Sequence, residues 1–490
     1  MSPEIYKVMF NISFKQSLPF IILMCALFAA FQITRVFMVG LSGDGMCYAA
    51  IAMNMAHGIG SLWQPSYTPT VLPVYYDHPP LAFFLQSLFF RILGDGFYVE
   101  KIYGAVTAFF NIMVILLLWK TMQSHFRWEQ SWLAIFCWLL VPLNIYVYHS
   151  NLLEGTLVVF TTLSAWLVFY GLRHGRSIYF LPAAALMTLA FLTNGLEAFS
   201  ALSMPFIFYV IFKQVSFNRM AWQTLLLSVV TLLFIALIML YIPARHSIET
   251  YWNTAVFTTL SGHRGGTYTG WRHFAGINLV LRHLYPLIGV TCIVLCIKAY
   301  YEKSWATVKT VLFKKNVIFL LIMALVTMLP VLVSIRQHEH YFFPAFPFFV
   351  LFFLEILTPI VMSWIQGLNV QSRGYKIFLS ISIIFAVLVL LNIIHSAGKV
   401  CRDQDLYQDI SSISRLTGDG VTLSSSPAFW TDGNWIIHAY FYRYHHIALS
   451  PNIGQMYYLT LAQNAPPAGY QYLTLSLRQL MLWKKVEKGS

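Results

Sequence analysis

The sequence predicts an all-α polytopic membrane protein carrying a small α/β domain at its C-terminal end. Three observations carry that expectation. Apolar runs of helical length recur up to residue 396, 58% of the residues are hydrophobic against 10% charged, and the composition changes abruptly after Ser396. Such a chain has too little polar surface to cover its apolar atoms as a water-soluble globule.

The apolar runs lie near 17–40, 102–119, 131–148, 153–172, 178–193, 198–212, 222–243, 284–299, 317–333, 345–364 and 377–396. Each approaches the length needed to cross a hydrocarbon core of about 30 Å as a helix, the open-chain form that satisfies every backbone hydrogen bond in lipid. The reading is about eleven transmembrane helices, with 178–212 open to two short spans or one span plus a re-entrant piece. One set of alternate loops holds Lys7, Lys15, Lys120, Arg127, Arg173, Arg176, Lys213, Arg219, Lys298, Lys303, Lys309, Lys314, Lys315, Arg373 and Lys376, whereas the other short loops hold Arg91, Arg245, Arg264, Arg272, Arg282 and Arg336. Short cytoplasmic loops retain Lys and Arg. The N-terminus is therefore expected in the cytoplasm and residues 397–490 outside, in a multi-pass protein of the plasma (inner) membrane.

The net charge of +13 is then mostly a topology signal, and its dispersal over loops argues against a nucleic-acid partner. The first span continues through Thr34 and Arg35 to Gly40, longer than a signal-peptide core, and reads as an uncleaved anchor. Cys47 and Cys401 lie outside the spans, which leaves a disulfide between them open in an oxidising compartment. No CxxC pair supports metal or redox use of cysteine.

Residues 1–396 are expected to form the membrane module, with a first outer loop at 41–98 and a second large outer loop at 244–283, both holding amphipathic helices. Residues 397–490 carry β-like runs such as Val421-Thr422-Leu423 and Tyr472-Leu473-Thr474-Leu475, after a helix-like segment from Asp405 to Leu416. They read as an extracytoplasmic α/β domain.

Acidic residues are biased to one side. Asp44, Asp77, Asp95, Glu100, Glu154, Glu197, Glu249 and Glu339 fall at or near outer span ends, and Glu4, Glu129 and Glu302 inside. A carboxylate near hydrocarbon is costly, about 2.5 to 3.5 kcal/mol at a helix centre, so the outer face is where an active site is expected.

The first outer loop opens Ser42-Gly43-Asp44-Gly45, then Met46 to His57 and Gly58, a helix with an acidic N-cap and a glycine stop. Capping is one reading of Asp44. Tyr48 lies four residues on, on the same helical face, and Trp63, Tyr75, Tyr76, Asp77 and His78 follow in a loop too polar for lipid. Aromatics, two carboxylates and a histidine suit a sugar and an anion. Pro79-Pro80 holds His78 extended.

The pattern Asp44-x3-Tyr48, Trp63, then Tyr76-Asp77-His78-Pro79-Pro80-Leu81 resembles the first outer loop of the GT-C membrane glycosyltransferases, in the protein mannosyltransferase and aminoarabinose transferase superfamily. Three later segments resemble it too: Asn151-Leu152-Leu153-Glu154, Ala190-Phe191-Leu192-Thr193-Asn194-Gly195, and Ser334 through His340-Tyr341-Phe342-Phe343-Pro344-Ala345-Phe346-Pro347. The match covers roughly residues 40 to 350.

The resemblance implies a GT-C fold and an inverting glycosyltransferase that moves a hexose or pentose from a polyprenyl-phosphate donor to a lipid, glycan or protein acceptor. By motif position, Asp44 matches the catalytic aspartate and Glu154 a second acidic position. Tyr48, His78, Arg264 and Tyr341 fall where residues contact the donor phosphate or sugar, and Arg336 joins them as a phosphate clamp. Asp77 and Trp63 are expected to support the acceptor or the loop. Two departures stand out: His78 replaces the lysine of the aminoarabinose transferases, and Asn194 replaces a lysine found in many members.

These roles suit the chemistry, since cations and hydroxyl donors aimed at a departing sugar phosphate stabilise its charge where water is scarce. An acceptor nucleophile needs a base within hydrogen-bond reach. Structural readings stay open: Arg336 as a snorkelling interfacial residue, His78 as loop packing, Glu154 as a helix cap. His338-Glu339-His340 raises a metal reading, with Glu154 or His149 as further ligands, but the spacing fits neither a helical i, i+4 pair nor a usual zinc loop. No cofactor is required, and a divalent metal has only weak support. No Walker motif, GxSxG or GxGxxG in context supports nucleotide use or serine hydrolysis. The rival function is a transporter or flippase of a lipid-linked sugar; a non-catalytic receptor is a weaker third.

Overall fold

The computed structural model describes residues 12–123, 126–258, 275–334, 336–431, 434–462 and 464–486. Among these, nine helices are long and apolar enough to cross a membrane: Phe14–Val36, Val99–Met122, Leu153–His174, Ser177–Asn194, Phe217–Met239, Ala275–Glu302, Lys315–Val333, Glu339–Gln366 and Arg373–Ser396. The protein is a multi-pass membrane protein.

The two other expected spans are broken ones. Trp128–Leu139 and Pro142–His149 together have the length of a span but bend by 80°. Proline lacks a backbone N–H and suits a helix start better than its interior, and Pro142 opens the second piece. The expected span at 198–212 lies within the shorter apolar helix Leu196–Phe212, whose first eight residues form a 3₁₀ helix. Gly195 separates it from the preceding span at φ +84°, a conformation glycine adopts without steric cost.

Side chains tie the turns together at each end of the bundle. Gln16 donates to the Gln366 carbonyl at 3.0 Å, Arg173 and Asn316 both reach the Met122 carbonyl, and Arg219 donates to the Gly175 carbonyl at 2.9 Å. Loops rich in Lys and Arg thus meet at one end. At the other, Ser42 donates to the Ser150 carbonyl at 3.0 Å, and His283 pairs with Glu339 at 3.0 Å.

The C-terminal domain sits at this second end. Its five-stranded mixed sheet runs in the order Ala448–Ser450, Thr422–Ser425, Tyr457–Leu461, Leu480–Lys485, Tyr470–Tyr472. The first three strands are parallel and the last two antiparallel to their neighbours. Buried Asp409, on the helix Gln404–Thr417, accepts the backbone N–H groups of Arg478, Gln479 and Leu480 at 2.7–3.0 Å and pins the last long strand to that helix.

A seam joins this domain to the membrane module. The chain entering the domain pairs with the end of the first helix, Val39 bridging Val400. The helix Trp435–His445 packs on the helix Gly43–Ala56 and is clamped by Arg443, 1% exposed, against fully buried Glu100 at 2.7 Å. Arg443 also donates to the carbonyls of Asp95 and Gly96 and lies over the Phe90 ring. Cys47 and Cys401 are free thiols, so the disulfide left open by the sequence is not formed.

Candidate active site

The helix Gly43–Ala56 buries every residue from Gly45 to Met55 and leaves Asp44 exposed in its first turn. Ser42, not Asp44, occupies the N-cap position. Asp44 is thus not the N-cap, although its carboxylate still lies in the first turn, where a negative charge suits the helix N-terminus. Its neighbour Gly45 lies so close to the Ser150 carbonyl that a Cβ would collide with it. Asn151 holds this approach by donating to the Gly45 carbonyl at 3.0 Å while accepting from Gln86 at 2.5 Å. Asp44 is thereby brought beside the helix that begins at Leu153.

A cavity of about 550 Å³ opens there. Asp44, Tyr48, Asp77, His78, Glu154, Arg336 and Tyr341 all line it, so the structure gathers seven of the nine residues singled out in the sequence. Trp63 is outside the lining and packs against the separate apolar cluster of Phe191, Leu192 and Ile248. Arg264 lies outside the described residues, as does most of the loop that links Phe257 to Ala275.

One wall is a chain of hydrogen bonds. Asn194 donates to Glu154 Oε1 at 3.4 Å, which directs its own carbonyl oxygen to His78 Nδ1 at 3.1 Å. Nδ1 must then carry the hydrogen, so in the neutral ring Nε2 accepts from the Tyr48 hydroxyl at 3.2 Å. Asn194 is a neutral bridge between a histidine and a carboxylate. Burial raises the Tyr48 pKa well above its usual value, with Tyr75 and the charges of Asp44 and Glu154 adding to it, so the phenol stays protonated. Glu154 is also in the first turn of its helix, so its cap-like placement and its place in the cavity coexist.

A second part of the lining comes from the segment between Val333 and Phe346. Half-buried Arg336 donates from Nε to His338 Nε2 at 3.3 Å. Burial first, and then the Arg336 charge, lower the His338 pKa and keep that ring neutral as an acceptor. The His338 and His340 rings stack with centroids 5.5 Å apart, and Tyr341 packs edge-on against both. Glu339 turns away to His283. Among the described residues no three His, Cys, Asp or Glu side chains are grouped to hold a metal ion.

The lining also contains residues given no role above. Glu197 follows the turn at Gly195, and one of its oxygens, Oε2, is buried without a hydrogen-bond partner among the described residues. Tyr251 comes from the helix Ile242–Tyr251, and Trp435 from the C-terminal domain. A motif signal existed for Glu197, two residues past Gly195 in a matched segment. Nothing local in the sequence marks Trp435.

Residues 77–241 match the family model described as dolichyl-phosphate-mannose-protein mannosyltransferase. Putative mannosyltransferase YycA of Bacillus subtilis (strain 168) is 26% identical over 185 residues, 38% of this chain and 26% of its own length. Putative mannosyltransferase YkcB of the same strain is 24% identical over 164 residues, 34% and 22% of the two chains. The alignments thus span about a quarter of the length of these curated relatives. Across the whole chain the fold is similar to that of ArnT from Cupriavidus metallidurans, solved bound to undecaprenyl phosphate, with a TM-score of 0.63, 14% identity and coverage of 96% of this chain and 98% of that one. The chain thus has the GT-C fold and, over residues 77–241, resembles the mannosyltransferase family. The apo oligosaccharyltransferase of Archaeoglobus fulgidus shares the GT-C fold at a TM-score of 0.51, 15% identity, and coverage of 89% and 64%.

Proposed function

We propose that the protein is an inverting glycosyltransferase that takes its sugar from a polyprenyl-phosphate carrier and works at the extracytoplasmic membrane face. The observation that carries this reading is that one cavity is lined both by exposed Asp44 and by Arg336, which has no carboxylate partner among the described residues. The ArnT relative of the same fold holds undecaprenyl phosphate, which supports a carrier of that chemistry here. The excess of Lys and Arg in the loops at the opposite end supports the sidedness.

In the transfer, Asp44 takes the proton from an acceptor hydroxyl or amine as that atom bonds to the anomeric carbon. The bond from the anomeric carbon to the phosphate oxygen breaks on the opposite face, which inverts the configuration. The carrier leaves as a phosphomonoester with one more negative charge, and Arg336 stabilises it. An approaching phosphate favours protonation of His78; the ring then donates to the Tyr48 oxygen and frees the phenol hydrogen for the phosphate. Arg264 is assigned to the same phosphate, and Asp77 to the acceptor side of the loop.

Purified protein in detergent, given undecaprenyl-phosphate sugars and an acceptor extract, should release undecaprenyl phosphate. Asp44→Asn should stop the release while carrier binding persists. Turnover by Asp44→Asn removes that residue from the base role, and transport across vesicles without release in detergent favours the flippase.

A further inference from the structure

Trp435 belongs to the C-terminal domain, yet its side chain forms part of the cavity wall, 39% exposed. Among the described residues no aromatic ring stacks on it. An indole left with an open face at a reaction site offers a broad, flat, apolar surface with few torsions to freeze.

Its position is built from several sides. The Trp435 carbonyl accepts from the Tyr67 hydroxyl at 3.5 Å. Further along the same helix, the Tyr440 hydroxyl donates to the Leu41 carbonyl at 3.1 Å or to Asp403 at 2.7 Å, the Tyr444 hydroxyl accepts from the Gly40 N–H at 3.2 Å, and Arg443 is buried against Glu100. The tip of the indole lies 3.0 Å from where a Cβ on Gly43 would stand. Gly43 precedes Asp44, so the ring sits over the turn that bears the base. Arg336 enters the lining from a different segment, between Val333 and Phe346.

We propose that Trp435 is the platform on which the acceptor is positioned, and that the acceptor is a carbohydrate. The inference rests on Asp44 being the base, since the group whose proton it removes must come to that side of the cavity. A pyranose ring presents one face of C–H groups that an indole can cover while the ring edge keeps its hydroxyls free, one of them toward Asp44. A serine or threonine side chain has no such face and would leave the platform unused. The C–H to ring contacts are individually weak and add over the ring.

The test replaces Trp435 with photoreactive p-benzoylphenylalanine in the full-length protein and irradiates cells that make it. The expected adduct contains carbohydrate, is cut by periodate, and is absent when the same replacement is made at Ile453, 63% exposed on the same domain. An adduct to peptide alone or to the polyprenyl carrier alone, equal labelling at Ile453, or no adduct overturns the proposal. In kinetics, Trp435→Ala and Trp435→Leu should raise the KM for acceptor about tenfold, and Trp435→Phe should restore most of it. Undecaprenyl phosphate should bind all three variants as it binds the wild type; loss of carrier binding overturns the acceptor assignment. The crosslink needs no turnover. A carbohydrate adduct at 435 alongside an active Asp44→Asn variant therefore separates failure of the base reading from failure of this one.

Discussion

Arg443 at the seam and Arg336 in the cavity are the same residue put to opposite uses. Arg443 is buried, its charge matched by Glu100 and two of its N–H groups turned to backbone carbonyls, while its Nε has no partner among the described residues. Arg336 is half-buried and held by a neutral imidazole, which fixes its direction, and no carboxylate among the described residues pairs with its charge. A paired buried charge serves assembly, because separating it exposes its partner to low dielectric. An oriented charge with no counterion is suited to one that develops during a reaction. The contrast separates the part of the molecule that holds the domains together from the part that does chemistry.

Four experiments break or sharpen that contrast. Asp44→Asn should cost transfer about 10³-fold, within the range for a general base, with thermal unfolding in detergent unchanged; lost stability would move Asp44 to the structural class. Arg443→Met should lower stability by about 3 to 5 kcal/mol because it strands Glu100, and Arg443→Met with Glu100→Leu should recover much of it. An undisturbed melting profile for the single variant would mean that the seam does not hold the domain. Arg336→Ala should reduce kcat/KM about 100-fold with little change in stability, and Arg336→Lys should restore part, since a point charge keeps the attraction but loses the fork. A large stability loss would make Arg336 a second Arg443. Tyr48→Phe leaves the His78 ring without one partner, worth about 1 kcal/mol, so a rate about fivefold lower is expected, and an unchanged rate would show that the phenol only packs.

How far the site could be read in the sequence depended on how local each signal was. Asp44 stands out because it follows an apolar span and opens a short helix, and the structure leaves it exposed on a helix otherwise buried from Gly45 to Met55. Tyr48 shares its face by the helical repeat, and His78 and Arg336 came with matched segments. The bridge from His78 through Asn194 to Glu154 joins residues 116 and then 40 positions apart, and no periodicity encodes it. Trp63, in a matched segment, packs against an apolar cluster outside the cavity lining. The helix break at Pro142 lies inside an apolar run, 131–148, that composition reads as continuous, whereas the break at Gly195 falls between the runs 178–193 and 198–212, a stretch the sequence left open to short or re-entrant pieces.

Hydropathy and charge were enough to establish a helical membrane protein with basic and acidic ends, a helix opening at Asp44 and a polar domain after Ser396, because burial of apolar length and loop charge are properties of contiguous residues. Which acid is exposed, which arginine keeps its charge available, and the arrival of Trp435 beside Asp44 were settled by packing. Those outcomes depend on contacts such as Gly45 against Ser150 and Arg443 against Glu100, and close contact between distant segments exists only once the chain has folded.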